Sequence, residues 1–190
     1  APPRGHVHYI APAAAGGGWD PAARGPQQAL RDEGLWSNVQ VVNMPGAGGT
    51  IDLAQFVSVP GDSTTLMLTG TVMEGAIITN GSAATLEDTT PIARLANDYE
   101  VVIVPADSPF ETLDDLIEEW RKDPHALAIG GGGIGGTDQL LAGLLAQEKD
   151  INPAELNYIA YSGGGEVLTS LLSGTVDFGI SGYNEFSDQI

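Results

Sequence analysis

The sequence predicts an α/β fold made of two small lobes, on three observations. Strand-like and helix-like runs alternate along the chain in a βαβ rhythm. Several of the strand-like runs are apolar without a polar face, as buried parallel strands are. The same order of elements begins again near Asp98, which predicts a first lobe over 1–97 and a second over 98–190, with a crossover between Leu95 and Val104.

In the first lobe, His6 to Ile10 reads as a strand. Asp20 as N-cap and Pro21 as first helical residue open a helix that Gly34 closes as its C′ residue, while Pro26 should kink it or delay its regular start. Val39 to Val42 is a strand, a helix follows Thr50, and Thr65 to Thr69 is again strand-like. In the second lobe, Val101 to Val104 is an apolar strand, and Thr112 caps a charged helix through Arg121. Ala126 to Ile129 is a strand, and a helix runs from Thr137 to about Lys149. Leu156 to Tyr161 is a strand, Glu166 to Leu172 a helix ended by Gly174, and Val176 to Ile180 a strand. Ile190 falls at the start of what reads as another helix, so a C-terminal part of both lobes is expected to be missing from the chain.

The 190 residues carry 7 Lys and Arg against 25 Asp and Glu, a net charge of −18. That balance argues against nucleic acid and anionic membrane surfaces as partners. No cysteine is present, which removes disulfides, thiolate catalysis and cysteine metal sites. No apolar run approaches the roughly 20 residues that span a bilayer, and Ala1 onward lacks the pattern of a signal peptide. A mature exported protein and a cytoplasmic one would both read this way.

The chemistry concentrates in glycine-rich corners between a strand and a helix. In Ala13 to Asp20, Gly16, Gly17 and Gly18 let the backbone turn tightly, and free N–H groups ahead of a helix bind carboxylate or phosphate without a basic side chain. Gly130 to Gly136 before Thr137 and Asp138 repeats the arrangement, and Tyr161-Ser162-Gly163-Gly164-Gly165 before Glu166 repeats it once more. Ligands of open α/β sheets bind at the carboxyl ends of strands, where all three corners fall. An ordinary glycine-rich turn is the competing reading of any one corner.

Other readings fit fewer residues. Gly130, Gly132 and Gly135 satisfy the dinucleotide pattern GxGxxG, but no acidic residue ends the next strand, and Thr137 stands where a P-loop needs Lys. Gly179-Ile180-Ser181-Gly182-Tyr183 misses the GxSxG elbow by one residue, and no His follows Ser181. His6 and His8 share a strand face without a third ligand at metal spacing. Arg24, four residues after Asp20, forms a structural pair with it. No enzymatic constellation, metal or cofactor is expected.

The residues resemble the periplasmic solute-binding subunits of tripartite tricarboxylate transporters, the TctC or Bug group. The resemblance rests on Gly16-Gly17-Gly18-Trp19-Asp20 with Ala23-Arg24, on Asn43-Met44-Pro45-Gly46-Ala47-Gly48-Gly49-Thr50, and on Met73 with Thr79-Asn80. It continues in Thr90 to Leu95, in Gly131 to Asp138 and in Tyr161 to Gly165. It implies a two-lobed Venus flytrap, a type II-like periplasmic binding protein that traps a small di- or tricarboxylate, such as a citrate-like ligand, between lobes. The implied partner is a membrane permease, the implied state a monomer, and the implied location periplasmic or extracytoplasmic, with a lipoprotein anchor as one form.

By resemblance the ligand carboxylate is held at Ala14, Ala15, Gly16, Gly17, Gly18, Trp19 and Asp20 and at Gly131, Gly132, Gly133, Ile134, Gly135, Gly136 and Thr137. Thr69, Gly70 and Thr71, Gly163 and Gly164, and Ser181, Gly182 and Tyr183 are similar to segments that line the rest of the cleft. Gln139 departs from the family pattern, where a His often follows the Thr-Asp pair. A sensory module of the same fold and a nucleotide-dependent enzyme are the alternative functions.

Overall fold

The computed structural model describes residues 4–189. The chain divides into one unit that runs to Ala96 and a second that starts at Asn97. The first unit holds a parallel three-stranded sheet of β1 (Arg4–Ala11), β2 (Trp36–Asn43) and β3 (Thr65–Met67), in the order β2-β1-β3. Its helices are α1 (Trp19–Asp32), α2 (Thr50–Val57) and α3 (Thr71–Thr79). Along the central strand, Val7, Tyr9 and Ala11 are buried. His6 and His8 share the other face with ring centroids 5.0 Å apart, and His6 Nδ1 pairs with Asn38 Nδ2 at 3.0 Å.

Two expectations for this unit are corrected, and one helix appears that the sequence reading did not include. Asp20 is not the N-cap of α1: Gly18 is, in a right-handed conformation, and Asp20 lies inside the first turn with Pro21 behind it. Pro26 does not delay the helix, which is already running when it arrives. Helix α3 has no polar stripe and an interior Gly75, so nothing local announced it. It forms because Met73 and Ala76 are buried, Met73 with Leu53 and Ala84 in one core cluster.

The second unit holds β4 (Glu100–Ile103), β5 (Ala128–Gly131), β6 (Asn157–Ala160) and β7 (Phe178–Gly182), in the order β4-β7-β5-β6. β5 pairs in parallel with β6 and β7, but β4 is an antiparallel edge strand on β7. The helices are α4 (Leu113–Lys122), α5 (Thr137–Glu148), α6 (Gly164–Leu172) and α7 (Tyr183–Phe186). Thr112 caps α4 as expected, in a reciprocal box with Asp115: each residue's N–H donates to the other's side chain, at 3.2 and 2.9 Å. Trp120 and Phe178, both fully buried, meet edge-to-face at 5.4 Å in the middle of the core.

Strand β5 runs on into Gly130 and Gly131, which were expected to belong to the corner. Packing explains this: a Cβ on Gly130 would lie 3.2 Å from both Val167 and Val176. Among the described residues no helix is long and apolar enough to cross a membrane.

Candidate functional site

The strands set the corners by ending where they do. In the first unit the chain leaves β1, turns through Pro12 to Gly18 and enters α1. Here Gly17 N–H donates to Ala14 O at 3.0 Å, Asp20 N–H to Gly17 O at 2.9 Å, and Gly16 N–H to the Asp20 carboxylate at 3.0 Å. That carboxylate also accepts from Asn43 Nδ2 at 2.9 Å and pairs with Arg24 at 2.9 Å. The corner's own helix therefore occupies one of the amides that the sequence left for a ligand. Among the described residues, the N–H groups of Ala15, Gly18 and Trp19 have no acceptor, and Ala15 and Gly18 are exposed.

The Gly16 bond, then Arg24 and Asn43, hold the Asp20 carboxyl down at about 2. A lowered carboxyl contributes stability above its ordinary value of 3.8 and loses it as pH falls through about 2. Asp20→Asn should thus be less stable than wild type at neutral pH, with the gap closing between about pH 4 and pH 2 in urea unfolding curves. A gap that stays constant over that range would detach the carboxylate from the corner.

The stretch Asn43 to Thr50 braces this corner. Asn43 also donates to Ala13 O at 3.3 Å, and Thr50 Oγ1 donates to Ala47 O at 2.9 Å. Gly48 and Gly49 have φ of 64° and 88°, in the left-handed region, and lie against α3. A Cβ on Gly49 would lie 2.6 Å from Met73 Cε and 3.2 Å from Trp19 Cζ3. Trp19 packs against both apolar clusters of the unit, and its Nε1 lies 3.6 Å from where a Gly70 Cβ would stand. The first corner and Thr69-Gly70-Thr71 are thus neighbours, joined by Trp19. Thr69 Oγ1 faces Met73 Sδ at 3.3 Å, and Gly70 caps α3 with its carbonyl accepting from Met73 at 2.9 Å.

The second unit repeats the pattern. Gly132 N–H donates to Asp138 Oδ2 at 2.7 Å, Gly135 N–H to Gln139 Oε1 at 2.7 Å, and Gly136 N–H to Gly133 O at 3.0 Å. The Tyr158 hydroxyl donates to Gly132 O at 2.7 Å. Gly131 lies in β5, and a Cβ there would collide with that hydroxyl, so this glycine makes room for Tyr158. The amides of Gly133, Ile134 and Thr137 have no acceptor among the described residues. Gln139, which departs from the family pattern, thus has a place: its side chain ties the middle of the corner to α5.

At the third corner Ser162 N–H donates to Glu166 Oε2 at 2.9 Å, leaving Gly163 and Gly164 as open donors among the described residues. Gly164 packs on Glu185, whose Cβ would stand 2.6 Å from a Cβ added there, and the Ser181 hydroxyl donates to the same Glu185. Gly163, Gly164 and Ser181 therefore gather around one side chain, while Gly182 lies against Asp98; Ser181 is buried and Tyr183 exposed.

Sequence reading missed two features. One is the acid in the first turn after each corner, Asp20, Asp138 or Glu166, that takes back an amide; its position near a helix N-terminus was the available signal. The other is Glu100, in register with Gly182 across β4 and β7. Burial, then the charge of Asp138, raise the Glu100 carboxyl to about 7. A groove of about 760 Å³ lined by Phe110, Leu127, Lys122 and Asp177 lies at the start of β5 and β7, the wrong end of the strands for a ligand of such a sheet.

Both units carry amide-rich corners at the carboxyl ends of their parallel strands, and the fold matches that of the periplasmic binding proteins. MatC from Rhodopseudomonas palustris, solved with malate bound, matches 95% of this chain and 61% of its own with a TM-score of 0.79 at 22% identity. A second Rhodopseudomonas palustris protein, solved with adipate, matches 98% and 62% with a TM-score of 0.84 at 23% identity. Likeness at these identities establishes the fold.

The model of the tripartite tricarboxylate transporter family receptor, TctC, matches residues 23–187, and the chain belongs to that family. BugT from Bordetella pertussis is 28% identical over 174 residues, 90% of this chain and 52% of BugT. The chain spans about half the length of the curated relatives it matches. The family is one of transporter receptors, not of enzymes. The structure also weakens the dinucleotide reading of Gly130, Gly132 and Gly135, because Asp138 puts a carboxylate on Gly132 N–H, where a pyrophosphate would have to approach.

Proposed function

We propose that the chain is the ligand-capturing part of an extracytoplasmic solute-binding protein that takes a small di- or tricarboxylate and hands it to a membrane permease. The observation that carries this reading is the set of unpaired backbone N–H groups at Ala15, Gly18 and Trp19 and at Gly133, Ile134 and Thr137, each set ahead of a helix. A carboxylate accepting such amides gains about 1.5–3 kcal/mol per charge-assisted bond, and each helix N-terminus adds roughly 0.3–1 kcal/mol. Net charge of −18 opposes an anion only from a distance, since salt damps fields beyond about 8 Å. The malate and adipate held by proteins of this fold support a ligand of that class, with citrate as a third candidate.

On this reading the protein acts as a monomer in the periplasm, free or lipid-anchored, with no cofactor. Isothermal titration of malate, adipate and citrate is expected to give saturable one-to-one binding by at least one of them. Failure of all three, with NAD bound instead, would return the Gly130 corner to a nucleotide role.

A further inference from the structure

Glu100 is half-buried at the start of β4, yet its Oε2 is sealed from solvent and has no hydrogen-bond donor among the described residues. The groups that face it are Thr137 and Asp138 at the start of α5, Asp98 just ahead of β4, and Tyr158 on β6. None of these is cationic. Asp138 is already an acceptor twice over, from Gly132 N–H at 2.7 Å and from the Thr137 hydroxyl at 3.1 Å. Two carboxyls within hydrogen-bond reach, one carrying a buried bare oxygen, are stable together only if they share a proton.

We propose that Glu100 is a positioning residue of the second corner: protonated, it donates to Asp138 and so holds the carboxylate that fixes Gly132. The inference rests on the reading that this corner binds an anion. The proton does two things at once. It cancels a negative charge beside the incoming ligand, and it keeps Asp138 seated so that the free amides of Gly133 and Ile134 stay presented. When Glu100 loses its proton the two carboxyls repel, and anion affinity falls.

The pH dependence has a definite sign. Burial and Asp138 raise the Glu100 carboxyl from 4.5 to about 7, so the folded chain holds this proton more tightly than the unfolded one. The stability it contributes is full below the ordinary value and is lost as pH rises toward about 7.

Two measurements on wild type and E100Q test this, one with no ligand. In urea unfolding between about pH 4.5 and pH 8.5, wild-type stability should fall with pH and level off above about 7, while E100Q, whose amide still donates to Asp138, should lack that fall. In malate and adipate titrations, wild type should bind several-fold more weakly at about pH 8.5 than at about pH 6.5, a range over which both ligands stay fully ionised. E100Q should bind equally at both, at the stronger value. Asp138→Asn, as a second variant, should move the wild-type fall to lower pH.

Equal pH slopes for wild type and E100Q in unfolding overturn the proposal, as does E100Q binding weakly at both pH values. If neither acid binds any variant, the functional reading fails by itself, and the unfolding comparison still decides whether Glu100 carries the proton.

Discussion

Gly133→Val should cost at least about 100-fold in affinity for the carboxylate while leaving the fold intact. Nothing lies within 4 Å of where a Cβ would stand, so the branch point of a valine enters open space. It does meet a ligand, because the free N–H groups of Gly133 and Ile134 are the ones it walls off. Losing two charge-assisted bonds removes about 3 kcal/mol or more, which is about two decades in Kd. Stability should shift by no more than about 0.5 kcal/mol, the usual range for an open surface site. Gly132 is a poorer choice for this test, since a Cβ there already crowds Asp138 Oδ2 at 3.1 Å and would confound binding with unseating the corner. Unchanged malate or adipate affinity in a folded Gly133→Val protein would reduce the corner to a turn.

The largest effect on stability should come from Gly48→Ala. Its φ of 64° costs an alanine roughly 1–2 kcal/mol, and the added Cβ would stand 2.5 Å from Ala76 Cβ. Alanine has no flexible end to move aside, so α3 itself must shift, for about 1–3 kcal/mol more. The sum, about 2–5 kcal/mol, is a large part of the typical 5–15 kcal/mol that hold a domain folded. Gly61, with φ of 81° but open space around it, isolates the strain alone, and Gly61→Ala should lose only roughly 1–2 kcal/mol. Thermal or urea unfolding of the pair separates collision from strain; equal losses would mean that α3 yields freely.

Much of the fold was legible because its signals are local. The Thr112 cap, the Gly34 helix stop and the apolar strands each need only neighbours in sequence to be recognised. What escaped depends on partners far along the chain. Helix α3 is made by the burial of Met73 and Ala76, and the Asn43 to Thr50 stretch, legible as a family signature, shows its purpose only when Asn43 reaches Asp20 and Gly48 meets Ala76. The antiparallel β4 follows from its pairing with β7, which no period in the sequence encodes. For the site, glycine richness pointed to the corners but could not say which amides are free. Gly16, Gly132 and Gly135 donate inward, to Asp20, Asp138 and Gln139, and Gly131 serves packing, so the open donors are a subset that only side-chain geometry selects.

Anchoring a ligand on backbone N–H groups has a consequence for how such proteins diverge. Every residue except proline carries the same donor, so a corner keeps its grip on a carboxylate through almost any exchange of side chains that preserves its path. Identity of 28% to BugT is compatible with an unchanged set of anchoring groups. On the proposed reading, new substrates arise by altering the walls, at positions such as Tyr183 or Ile134, while the handle common to all organic acids is inherited with the main chain.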